Sequence, residues 1–182
     1  MDLGLTGRVA LVIATGDAGD ACTRLLREEG ATVVSSPEGA VDIVVAGGHD
    51  GPSAVLDVDS ADALHDTWQV VVDSVDVYRR LVPGMAARRW GRLVWIGTAA
   101  AKSLDADDDE LGAIVSLAMM ALHKVVTGEE SPENITANTV LRGGDADADD
   151  VAAAVAFLCS DGAGYMSGVT ITVDGGEGSG MF

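Results

Sequence analysis

Lysine is nearly missing from this chain. Lys102 and Lys124 are its only two, and eleven Lys and Arg together stand against twenty-nine Asp and Glu. The formal charge of −18 removes the basic surface that phosphate backbones require, which excludes nucleic-acid binding as a function class. It equally disfavours an anionic membrane face; what such charge does supply is solubility. Cysteine is as scarce. Cys22 and Cys159 fall on expected helices, lack the paired spacing of a metal site and read as buried free thiols. No unbroken apolar run reaches the ~18 residues of a membrane span. The N-terminal MDLGLTGRVALVIATG carries no basic n-region of a cleaved signal, so the expectation is a cytoplasmic protein. What is abundant is Ala, Val, Gly and acid, with Arg above Lys, a composition that suggests a high-GC bacterial source.

At 182 residues the chain suits one domain, 1–182, large enough to bury a sizeable core. Apolar runs alternate with helical patterns, which predicts an α/β fold around a single doubly wound parallel sheet. Strands are expected at 8-RVALVIA-14, 31-ATVVSS-36, 41-VDIVVAGG-48, 92-RLVWIGT-98, 135-ITANTVL-141 and 169-VTITVD-174. Helices are expected at 18–30, closed by Gly30, at 68–85, at 111–127 and at 150–160. Residues 53–67 read as a polar connection with some helical content, and 105-DADDDE-110 as an acidic loop.

Five segments, in order, carry a resemblance. GRVALV, VDIVVAGG, LVPGMAARRWGRLVWIGT, NITANTVLRGG and 157-FLCSDGAGYMSGVTITVDGG-176 resemble successive motifs of the short-chain dehydrogenase/reductase (SDR) superfamily. The last is similar to the closing "fLaSd.a.yitG..l.vDGG". The resemblance implies a Rossmann-like sheet, a pyridine dinucleotide and a Tyr-x-x-x-Lys pair in which lysine lowers the tyrosine pKa.

The chain departs from that pattern at each functional place. Its only tyrosines, Tyr78 and Tyr165, are followed four residues on by Val82 and Val169. Matching the long helix to the family puts Gly112 at the tyrosine and Ser116 at the lysine, while Thr98 falls on the catalytic serine. The glycine-rich TGxxxGxG loop reads 15-TGDAGDAC-22, and its added carboxylates Asp17 and Asp20 would repel a diphosphate. Between ATVVSS and VDIVVAGG only PEGA remains, where the family places the elements that wall the adenosine. Ser35 and Ser36 stand where an acid would hold the ribose. The lid before the helix at Asp150 shrinks to DADAD. These losses predict that no cofactor binds.

Ligands in open α/β sheets sit outside the carboxyl ends of the strands. That rule selects His49, Thr98 and Arg142 as candidate catalytic residues, with Ser116 on the long helix and Asp17 after the first strand. Histidine as a residue type suits general acid–base work, which makes His49 a candidate, or it is a solvated loop residue. Thr98 donates and accepts hydrogen bonds, or satisfies a strand end. Arg142 holds an anion or carbonyl, or neutralises Asp145 and Asp147. His123 reads as packing in a helix interface, Trp95 as core and His65 as unremarkable surface. The acids around Asp105 lack EF-hand spacing, so no metal is expected.

The expected function is a cofactor-independent, non-redox enzyme of bacterial secondary metabolism performing cyclisation, isomerisation or dehydration of a small molecule. Two alternatives stay open: a non-catalytic subunit that stabilises a partner enzyme, and an NAD(P)-dependent oxidoreductase with an atypical relay. Partners are expected to be a small-molecule substrate and further copies of the chain, a homodimer or homotetramer through the long helices, with neither nucleic acid nor membrane.

Overall fold

Runs of Val, Ile and Leu that are apolar on successive residues can be buried on both faces, as central parallel strands require. They give β1 (Val9–Val12), β2 (Thr32–Val34), β3 (Ile43–Gly47), β4 (Gly91–Thr98), β5 (Ile135–Arg142) and β6 (Thr170–Val173). The helices are α1 (Gly16–Glu28), α2 (Ser60–Arg88), α3 (Glu110–Glu130) and α4 (Ala148–Cys159). The structure, a computed structural model, describes residues 2–48, 60–102 and 109–178.

All strand pairs are parallel, in the order β2-β1-β3-β4-β5-β6. The chain runs outward from β1 to β2, then crosses back to β3 on the other side of β1. The sheet is therefore doubly wound, as the alternation of patterns predicts, and its direction reverses between β1 and β3. β3 is buried along its whole length, and β4 over its first six residues. The register aligns β4 with β5 from Gly91↔Ile135 to Thr98↔Arg142, so Thr98 and Arg142 end their strands side by side.

Two apolar layers clamp the sheet. On one face α1 and α4 bury Ala18, Cys22, Leu26, Val151 and Val155. On the other α2 and α3 bury Val77, Tyr78, Leu81, Met85, Val115 and Met119. Cys22 and Cys159 are buried and free, as read from the sequence, and burial pushes the Cys22 thiol up to about 12. Such thiols are unreactive at neutral pH. By length and composition α3 with the turn that follows, Glu110–Glu133, meets the requirement for a membrane span, with a mean hydropathy of 1.6. Its inner side lies on β4 and β5, with Leu111, Ala113, Val115 and Met119 buried there.

Most element boundaries shift from expectation, the start of α2 furthest. α2 starts at Ser60, within the stretch read as a polar connection, because a polar first turn carries no apolar periodicity. It also runs through Pro83, losing one i→i−4 bond. β2 keeps only three residues, a short edge strand that blunts pairing with other chains. α1 begins at Gly16, earlier than the expected residue 18, directly after Thr15.

Candidate active site at the carboxyl ends of the strands

The residues at the mouth come from the ends of β1, β3, β4 and β5. After β1, Thr15 leads into α1, and Asp17 in the first turn accepts from Ala18 N–H at 2.8 Å. A carboxylate at this end is favoured by the helix dipole. β3 ends in Gly47 and Gly48, with φ of 128° and 81°. Both positions need glycine. A Cβ on Gly47 would stand 2.1 Å from Ile96 O, and one on Gly48 would stand 2.4 Å from Thr15 Oγ1. The chain leaving β3 thus packs directly on the Ile96 backbone and the Thr15 hydroxyl. His49 and Asp50 follow directly, outside the described residues.

Thr98 ends β4. Its Oγ1 accepts from Ala100 N–H at 3.3 Å, capping the short helical turn Ala99–Ala101. A hydroxyl that accepts this bond still has its own proton to donate. The Thr98 N–H donates to Ser116 Oγ at 3.1 Å. Ser116 is 2% exposed, and its Oγ occupies the place a Cβ on Gly97 would need, 2.3 Å away. Two sequence candidates are therefore joined, and Ser116 acts from beneath as the support of Thr98. Beside them lies Trp95, core as read, whose Nε1 has no hydrogen-bond partner among the described residues.

Arg142, at the end of β5, makes a different contact from the one expected. In place of Asp145 and Asp147 it grips Asp17 with both arms of its fork, Nη1 to Oδ1 at 2.5 Å and Nη2 to Oδ2 at 3.0 Å. Its Nε donates to Ala146 O at 3.0 Å, which fixes the direction of the guanidinium. The pair holds the Asp17 carboxyl below the usual carboxylate range and raises Arg142. Only Gly143–Asp147 separate β5 from α4, so the lid is as short as the sequence implies.

A buried polar chain was legible only in part. Tyr78 OH lies 3.0 Å from His123 Nε2, and His123 Nδ1 lies 3.2 Å from Thr139 Oγ1. His123 packs between helix and sheet, as read, but its two partners stand 45 and 16 residues away in sequence. Burial lowers His123 to about 4 and raises Tyr78. Both are neutral at physiological pH and sealed from the mouth. The acids 105–108 lie outside the described residues, and Asp109 caps α3 by accepting from Gly112 N–H at 2.9 Å.

A pyridine dinucleotide does not fit these residues. The helix N-terminus that would face its diphosphate already carries Asp17, and the Asp17–Arg142 pair crosses the path toward β5. Eight residues link Val34 to Ile43, leaving no helix or strand to wall an adenosine.

Known proteins place the fold firmly. Residues 141–177 match the family model described as Enoyl-(Acyl carrier protein) reductase. The 3-oxoacyl-[acyl-carrier-protein] reductase FabG of Pseudomonas aeruginosa is 25% identical over 244 aligned residues, covering 96% of this chain and 98% of the relative. That alignment is longer than the 182 residues here, so the relative has internal segments that this chain lacks. Among solved structures, a short chain dehydrogenase/reductase family protein superposes with a TM-score of 0.84 at 22% identity, over 97% of this chain and 98% of the other. The L-sorbose reductase of Gluconobacter frateurii, complexed with NADPH and L-sorbose, gives the same TM-score, identity and coverage. With its five ordered motifs, its parallel six-stranded sheet and these matches, the chain has the Rossmann-like fold of the short-chain dehydrogenase/reductases and resembles that superfamily in sequence, in a shortened form without the Tyr-x-x-x-Lys pair.

Proposed function

We propose that this chain is a cofactor-independent, non-redox enzyme that cyclises, isomerises or dehydrates a small molecule of bacterial secondary metabolism. One observation carries the reading. Ser116 commits its hydroxyl to Thr98 N–H, and the sequence resemblance sets Gly112 and Ser116 against the superfamily's tyrosine and lysine. Carbonyl reduction needs a proton delivered to oxygen as hydride arrives at carbon. Tyr78 is enclosed between α2 and α3, and Tyr165 is fully exposed near the amino end of β5. Neither reaches the mouth.

Among the described residues there, Thr98 brings a hydroxyl and Arg142 a guanidinium paired with Asp17. Thr98 orients a carbonyl or hydroxyl, and Arg142 stabilises negative charge that develops on oxygen. Dehydration and isomerisation also move a proton off carbon, which asks for a base near neutrality. His49, next to Gly48 in the chain, is our candidate. Ring closure demands less, since a folded substrate held in a near-attack shape gains rate from orientation alone.

A second reading is a non-catalytic subunit. Trp68 and Val72 on α2, with Ile114, Leu117 and Val125 on α3, are large apolar side chains left exposed. We assign them to a second copy of this chain in a homodimer or homotetramer, which is compatible with either reading.

Metabolite profiling separates them. Cells carrying Thr98→Ala or Arg142→Ala should accumulate the same intermediate as cells lacking the gene. The accumulated and missing compounds should then share one formula or differ by water. A difference of two hydrogens means redox chemistry and overturns the reading. Unchanged product with both variants supports the non-catalytic subunit.

A further inference from the structure

Arg142 is held ready for an oxyanion. Its Nε is anchored on Ala146 O, and its two Nη atoms lie parallel against one carboxylate, the geometry by which arginine recognises carboxylates and phosphates. The anion now in that place is internal. Asp17 reaches it from the first turn of α1, and its side chain is 65% exposed against 29% for Arg142. An ion pair open to solvent on its carboxylate side is weakly held and screened by salt. Thr98 stands beside Arg142 in the register, so a ligand that displaces Asp17 enters next to the Thr98 strand end. Asp147 adds a second negative charge near the same guanidinium, so a bound anion must outcompete both.

We infer that Arg142 is the oxyanion-recognising group of the mouth and that Asp17 is its built-in competitor, displaced when a small carboxylate- or phosphate-bearing ligand enters. The inference rests on the reading of the mouth as a small-molecule site. It names the ligand class and the contact that holds the site shut.

The test is calorimetric titration of the full chain with inorganic phosphate and, separately, with succinate. The proteins are wild type, Asp17→Asn, which keeps the shape of the side chain, and Asp17→Ala, which does not. At least one of the two Asp17 variants should bind one of the probes ~tenfold tighter than wild type. Adding Arg142→Met should abolish that gain. Preference for one probe over the other tells carboxylate from phosphate. If neither Asp17 variant binds either probe more tightly, or the gain persists without Arg142, the inference is wrong. Binding is read without turnover, so a redox result in the metabolite profiles would leave this outcome standing, and the reverse holds too.

Discussion

Asp17 and Arg142, 125 residues apart in sequence, form a two-armed ion pair across the carboxyl ends of the sheet. It sets a carboxylate in the first turn of α1 and ties α1 to the end of β5. A second pair, Arg24 with Asp149, joins α1 to α4 just below. Because both pairs are exposed, their contribution to stability is small and their effect is on geometry. A double-mutant cycle on Asp17→Ala and Arg142→Ala, read by urea unfolding, should give a coupling of ~0.5–1 kcal/mol that shrinks as salt is raised. Independent, additive effects would mean the two side chains do not meet in solution.

Ser116 supports Thr98 from within the core, and this fixes what its replacement does. Ser116→Ala leaves the Thr98 N–H without its acceptor and should cost ~1–2 kcal/mol in thermal unfolding. Ser116→Lys, the superfamily's residue at this position, should cost more than ~3 kcal/mol, because an ammonium would be driven against Gly97 and Trp95. A Ser116→Lys protein as stable as wild type would show that the pocket around Ser116 is open.

His123 sets an acid limit on stability. Its folded pKa, about 4, lies below the unfolded value of about 6.5. The unfolded chain therefore binds the extra proton between those values, and stability rises with pH there. Its contribution is complete above pH ~6.5 and is lost as pH falls toward ~4, by ~3 kcal/mol in all. Replacing it with glutamine should flatten that part of the stability–pH curve. A curve of unchanged shape would place the acid sensitivity elsewhere.

The exposed apolar side chains of α2 and α3 make a prediction about assembly. Leu117→Glu or Val125→Glu should convert the assembled species to monomer in sedimentation velocity while leaving the circular dichroism spectrum intact. A wild-type chain that sediments as a monomer at every concentration contradicts the assignment of this face to a second copy.

The sheet was legible because its central strands are buried on both faces and so read as unbroken runs, as VDIVVAGG and RLVWIGT do. Helix ends were less so. The first turns of α2 are polar, and polarity hides the period that marks a helix. Among the site residues, Thr98 and Arg142 were found by a rule about strand ends, which needs only the strand boundary. The partner of Arg142 was not found, since Asp145 and Asp147 are near in sequence while Asp17 is near only in the fold. Ser116 was matched to the family's lysine position on the long helix, yet its contact with Thr98 N–H and its burial depend on how closely α3 approaches Gly97. Pattern alone does not report that distance.

The central claim is that this scaffold has lost its dinucleotide site and the relay that used it. Calorimetric titration of the purified chain with NADPH and with NADH tests it most directly. No saturable heat with either nucleotide, up to concentrations on the order of millimolar, is the predicted result. Saturable binding at one site per chain, with an affinity on the order of micromolar, would contradict it.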